Sequence, residues 1–297
     1  MEAQKMNEYE NAIEIKDLTK KYDGFTLDKV SFNVPKGSIM GFIGQNGAGK
    51  TTTINALLNI VKKDEGEIRL LGLDHEKDEF EAKKQIAAVF DELPFDDRLN
   101  AIAMDKILRE IFEEWSTDTF FGYLDRFALP RKKKFGKFSK GMKMKLQIAS
   151  ALSHNAKLLI MDEATTGLDP VVRNEILDIF LEYLQNEDHT ILMSSHITSD
   201  LDKIADSVTF IDKGKVLVSG YKDEILENHG ILKCTKDEYK DIDPGDIVSA
   251  RLNDFGAEIM VSDKAACSQK YSGAVIDNTT LEDIMIYYVN RGKKEWR

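Results

Sequence analysis

The run Gly44-Gln45-Asn46-Gly47-Ala48-Gly49-Lys50-Thr51 constrains this chain more than any other stretch. Its glycines let a loop curl until successive backbone N–H groups point inward, a shape that suits an anion. The apolar Ile39-Met40-Gly41-Phe42-Ile43 before it reads as a short buried strand, and Thr52-Thr53-Ile54-Asn55-Ala56-Leu57-Leu58 after it as the start of a helix. A helix start adds unpaired donors and partial positive charge at the same point. Strand, loop and helix in that order match G-x-x-x-x-G-K-[ST]. They predict a nucleoside triphosphate cradled by Gly44, Gln45, Asn46, Gly47, Ala48, Gly49, Lys50, Thr51 and Thr52. Lys50 would reach the β- and γ-phosphates, and the Thr51 hydroxyl would face Mg2+.

With 297 residues the chain suits one large or two modest domains. A net charge of −11 argues against nucleic acid as the main partner and against adhesion to anionic lipid. No stretch approaches the roughly 18 uninterrupted apolar residues of a membrane span. The polar opening, Met1 to Asn11, is unlike a secretory signal. Cys234 and Cys267 lack metal-ligand spacing and read as free thiols of a reducing compartment.

From residue 12 to about 220, strand-like and helix-like segments alternate, the pattern of an α/β core with a largely parallel sheet. Ile13, Ile15 and Leu18 open a strand that Leu27, Val30, Phe32 and Val34 continue at period two. Between about Phe95 and Lys137 lies a helical insertion whose stripe of Ile102, Ile107, Leu108, Ile111, Phe112, Phe120, Phe121, Leu124 and Phe127 reads as core. Leu158-Leu159-Ile160-Met161 ends at Asp162-Glu163, and Thr190-Ile191-Leu192-Met193 ends at Ser194-Ser195-His196. Ligands of open parallel sheets sit at such strand ends, so these polar groups are expected beside the glycine loop. Residues 221–297 read as a small accessory αβ unit, with strands at Ile247–Ala250 and Ile259–Val261 and a helix at Thr280–Tyr288. Leu281, Ile284 and Tyr288 fall on one face of that helix, to pack within the unit or against a second copy.

Taken in order, these motifs closely resemble the nucleotide-binding domain of ATP-binding cassette (ABC) transporters over residues 13–220. The resemblance implies a P-loop core with an antiparallel β subdomain and a helical subdomain at about 95–155. Tyr22 matches the aromatic that stacks on adenine. Asp162 matches the Mg2+-holding carboxylate, Glu163 the catalytic base and His196 the histidine that contacts the γ-phosphate. Thr166-Gly167-Leu168-Asp169 matches the loop that links the two sites of a dimer. Phe138-Ser139-Lys140-Gly141-Met142-Lys143 stands at the signature, where Ser139, Lys140 and Gly141 are expected to engage ATP bound to the opposite subunit.

The chain departs from the usual signature, close to Leu-Ser-Gly-Gly-Gln, at Lys140 and Met142. It also departs where the family places a glutamine after the sheet strand, since Ala88-Val89-Phe90-Asp91-Glu92-Leu93-Pro94 offers Asp91, with Glu92 as competitor, for the Mg2+ contact. Both departures are shared by a subgroup of bacterial exporters. Arg131-Lys132-Lys133-Lys134 is either a solvated face or a local positive field near the phosphate across the dimer. His75, His154, His189 and His229 match nothing and read as surface or satisfied polar groups.

The resemblance therefore implies an ATPase that powers a membrane exporter of drugs, antimicrobial peptides or peptide toxins. Its partners would be a separate integral-membrane subunit and a second ATPase, the same chain or a paralogue, at the cytoplasmic face of the membrane. A soluble ABC-type switch acting on ribosomes or DNA is the alternative. A third reading makes residues 221–297 a regulatory or dimerisation module driven by the ATPase.

Overall fold

Every residue of Ile39–Ile43 is buried, as is every residue of Leu158–Asp162 and Thr190–Ser195. Such runs need cover on both faces, and the fold supplies it with two different cores. Ile39, Ile43, Leu159, Met161, Ile191 and Met193 enter one, while Met40, Phe42, Leu158, Ile160 and Leu192 enter the other. Alternate side chains of one strand leave opposite faces of a sheet, so a continuous apolar run is what a doubly covered strand requires.

The structure is a computed structural model and describes residues 9–92 and 95–291. Most of the N-terminal segment read above, with Leu93 and Pro94, lies outside the described residues. An antiparallel sheet in the order β2-β1-β4-β5 is made of β1 (Asn11–Tyr22), β2 (Phe25–Pro35), β4 (Glu65–Leu70) and β5 (Leu73–Asp74). The central sheet, ordered β10-β9-β3-β8-β7-β6, contains β3 (Ile39–Ile43), β6 (Ile86–Val89), β7 (Leu158–Asp162), β8 (Thr190–Ser195), β9 (Ser207–Asp212) and β10 (Lys215–Tyr221). All its neighbours are parallel except β10 on β9. A third, antiparallel sheet runs β12-β13-β11-β14, with β11 (Gly230–Cys234), β12 (Ser249–Leu252), β13 (Ala257–Val261) and β14 (Val275–Asp277).

Helix α1 (Lys50–Leu57) follows β3, and α2 (Glu79–Lys84) precedes β6. Between β6 and β7 stand α3 (Ala101–Ile111), α4 (Thr117–Arg126) and α5 (Lys140–Ala151). Helices α6 (Pro170–Tyr183) and α7 (Thr198–Ile204) follow β7 and β8; α8 (Lys222–Asn228), α9 (Lys264–Lys270) and α10 (Leu281–Val289) accompany the third sheet. The buried carboxylate of Asp105 accepts from Trp115 Nε1 at 2.9 Å and Thr117 Oγ1 at 2.7 Å, which fixes the α3–α4 corner.

Four local expectations change. The period-two run from Ile13 to Val34 is a hairpin, broken at the Asp23-Gly24 turn, because β1 and β2 send their apolar residues to the same core. Ile107 and Ile111 are 41% and 64% exposed rather than part of the core. β12 starts at Ser249, two residues late, because Pro244–Asp246 forms a 3-10 turn first. His154 is neither on the surface nor satisfied, since it is buried and its Nδ1 has no partner, whereas buried His229 is the satisfied polar group expected, bonding the Ile225 carbonyl and the Tyr288 hydroxyl.

Leu281, Ile284, Tyr287 and Tyr288 of α10 are buried in the same core as Leu201 and Ile204 of α7. Their common face therefore packs inside this chain. Arg131, Lys132, Lys133 and Lys134 are all exposed, with Arg131 paired to Asp125 at 2.6 Å. Gly214, at φ +77°, turns β9 into β10; its N–H donates to the Ala48 carbonyl at 2.8 Å, and its carbonyl accepts from Asp28 N–H at 2.9 Å. A Cβ there would stand 1.9 Å from the Thr26 carbonyl oxygen. Gly214→Ala is expected to cost about 3 kcal/mol in denaturant unfolding, from left-handed strain and a clash with backbone that cannot yield.

Candidate nucleotide site

The glycine loop leaves β3 and enters α1 through Gly47 and Gly49, at φ +80° and +118°, values open to glycine and strained for other residues. Lys50, only 5% exposed, turns back over the loop. Its Nζ donates to the Gly44 carbonyl at 2.7 Å and to that of Gln45 at 3.3 Å, and lies 3.0 Å from Glu163 Oε1. Thr51 Oγ1 donates to Asp162 Oδ2 at 2.7 Å. The strand ends converge as expected, because β3 lies beside β8 and β8 beside β7.

Glu163 is the most constrained residue of the site. Its backbone sits at φ +54°, where a non-glycine residue is held only by its surroundings. Ser194 supplies that hold, accepting from Glu163 N–H at its hydroxyl (3.1 Å) and its carbonyl (3.2 Å) while its own hydroxyl donates to Asp162 Oδ1 at 2.5 Å. Glu163 Oε2 accepts from Thr166 Oγ1 at 2.6 Å and lies 2.7 Å from His196 Nδ1. Burial, the largest influence, pushes the Glu163 carboxyl up, but the Thr166 hydroxyl, the Lys50 ammonium and His196 together bring it below the usual glutamate range. A carboxylate so held is charged at neutral pH and loses that charge only in acid.

Removing the hydroxyl tests this balance. In Thr166→Val the charged form loses a donor, so the Glu163 pKa rises. The acid limb of the kcat–pH profile is expected to move to higher pH. An unmoved limb would take Thr166 out of the network.

The remaining candidates lie around this centre. Tyr22, 45% exposed, ends β1, and its hairpin partner Phe25 reaches Gly49, with the ring 3.2 Å from where a Cβ would stand. Thr52 is half-buried in the first turn of α1. Ser139 caps α5 by accepting from Met142 N–H at 3.3 Å, and Gly141 lies in the first turn. Asp169 caps α6, accepting from Val171 and Val172 N–H at 3.1 and 3.0 Å. Lys140 Nζ is 2.5 Å from Asp91 Oδ1. Among the described residues, no hydrogen bond or ion pair joins Asp91 to Thr51 or Asp162, or Ser139 to Lys50 or Glu163. Glu92 is exposed.

Sequence reasoning left Ser194, Thr166 and Phe25 without roles. Ser194 and Thr166 stood inside motifs already marked, and a hydroxyl beside two strand-end acids is the signal that singles them out. Phe25 carried none, since only the β1–β2 turn brings it to Gly49.

A glycine loop between a buried strand and a helix, with its lysine folded back over it, is the fold of a P-loop nucleotide-binding core. The antiparallel sheet beside the core and the helices between β6 and β7 narrow the class to ATP-binding cassettes. The ABC transporter family model matches residues 27–166. The bacitracin transport ATP-binding protein BcrA of Bacillus licheniformis is 38% identical over 208 residues, 69% of this chain and 68% of that protein. The lantibiotic transport ATP-binding protein SrtF of Streptococcus pyogenes is 35% identical over 209 residues, 69% and 89% of the two chains. A solved structure of the ATP binding subunit of an ABC transporter superposes with a TM-score of 0.66 at 27% identity, over 73% of this chain and 92% of that one. This chain belongs to the ABC transporter family as an ATP-binding subunit that hydrolyses ATP to drive transport. No helix among the described residues is long and apolar enough to cross a membrane.

Proposed function

We propose that the chain is the ATPase of an exporter, in which two such subunits close on two ATP molecules and drive a separate integral-membrane partner at the cytoplasmic face of the membrane. The single observation that carries this reading is the ion pair between Lys50 and Glu163. Phosphate oxygens draw Lys50 away, Glu163 is left charged, and its freed Oε1 accepts a proton from the attacking water. His196 and Thr166 hold the other oxygen, Oε2, from two sides and so aim the carboxylate. Thr51 and Asp162 present hard oxygen donors side by side, a set that fits Mg2+, which when bound would offset phosphate charge. Asp91, the other candidate ligand, is engaged by Lys140 in this structure.

Each site would be completed by the Ser139–Gly141 start of α5 from the neighbouring subunit, whose open N–H groups favour an anion. An apolar groove of about 500 Å³ between β6 and the helical insertion, lined by Ile60, Phe90, Phe95, Ile111 and Phe112, supports docking of the membrane subunit there. We divide the chain at 12–220 and 221–297, with the helical part at about 95–155. Relatives named for bacitracin and lantibiotic transport favour a peptide antibiotic as cargo.

Turnover per subunit should rise with protein concentration and collapse in Ser139→Ala, and a detergent extract should yield the chain together with an integral-membrane polypeptide. Full turnover by a monomer at every dilution would sink the half-site scheme.

A further inference from the structure

Helix α5 begins against electrostatic preference. Its first turn holds Lys140 and Lys143 and no acid, although the positive end of a helix favours carboxylates. The compensation comes from one segment. Lys140 Nζ lies 2.5 Å from Asp91 Oδ1, and Lys143 Nζ lies 3.0 Å from Asp97 Oδ1. A turn further on, buried Gln147 takes both backbone groups of Phe90, donating to its carbonyl at 3.0 Å and accepting its N–H at 3.2 Å. Positions 140, 143 and 147 share one helical face. Phe90 and Asp91 on one side and Asp97 on the other are thus fastened to the start of α5 at three points along a single stripe. Gly136 N–H, just before the helix, adds a bond to the Asp97 carbonyl at 3.0 Å.

We propose that Asp91 and Asp97 are positioning residues that clasp the loop after β6 to the signature helix, so that both move as one body. This rests on the functional reading above, in which Ser139 and Gly141 serve the neighbour's ATP and Phe90 and Phe95 line the groove for the membrane subunit. The two departures from the family pattern then form one unit: the aspartate replaces the glutamine because a lysine replaces the glycine. Both ion pairs are half-exposed, so each is weak alone and sensitive to salt. Gln147, buried and bonded twice, is the permanent hinge pin, while the charged pairs set how tightly the loop lies on the helix.

The test is reciprocity in the full-length chain. Asp97→Asn, Lys143→Gln and Asp91→Asn are each expected to raise amide exchange both at 90–92 and at 140–143. Each should also lower kcat several-fold while leaving the KM for ATP in place. Swapping the charges, Asp97→Lys with Lys143→Asp, should restore protection and most of kcat, an outcome that a mere loss of stability would not give. Exchange confined to the substituted segment, or a swap no better than its single components, overturns the clasp. So does a changed Mg2+ dependence in Asp91→Asn, which would put that carboxylate on the metal. Failure of the functional reading would look different: wild-type turnover would not depend on protein concentration, while reciprocity of exchange would persist.

Discussion

Replacing Glu163 with Gln is expected to lower ATP turnover by about 10²- to 10⁴-fold, the range that a positioned general base contributes. ATP binding should survive, because the loop and Lys50 are untouched. The side chain keeps its size, and the amide oxygen can still accept from Thr166. It cannot take a proton from water. Charge changes as well: Lys50, left without its carboxylate, is more available to phosphate, so nucleotide-bound dimers should accumulate. Phosphate release under single-turnover conditions and sizing with Mg·ATP would measure both effects. Near-normal release would remove Glu163 from the chemistry.

Lys50→Ala is expected to weaken ATP binding by at least about a hundredfold, roughly what one buried charge-assisted contact to phosphate supplies. The loop also loses two tethers, since Nζ spans the Gly44 and Gln45 carbonyls, and Glu163 is stranded without a cation in a half-buried setting. Its carboxyl pKa should therefore rise, because burial is then opposed only by Thr166 and His196. Stability follows in sign. In the wild type a depressed Glu163 pKa contributes stability that is present above the unfolded value and lost as pH falls through the folded one. In Lys50→Ala that contribution should shrink at neutral pH. Nucleotide titration and unfolding at two pH values would check the pair.

Much of the core was legible because a doubly covered strand writes itself as an unbroken apolar run, as Leu158–Met161 does. The last helix was legible too: it was expected from Thr280, and that residue caps it by accepting from Asp283 N–H. Three things were not. Period two does not reveal a reversal of direction, so Asp23-Gly24 passed unnoticed inside one apparent strand. A helical stripe shows which residues share a side, not whether anything lies against it, and Ile107 and Ile111 are left open. Nor can spacing pair Asp91 with Lys140, because only the approach of α5 to β6 brings them together.

The α10 helix lies on α7, and α7 begins two residues after His196. Lys222 adds bonds from the start of α8, its Nζ to the Asp202 carbonyl and its N–H to that of Asp206, each 2.9 Å. The histidine's carriage is thus upholstered by residues beyond 220. A version cut at that point would keep every phosphate-handling group yet show Leu201 and Ile204 to water, inviting self-association and loosening the very spring on which the switch is mounted.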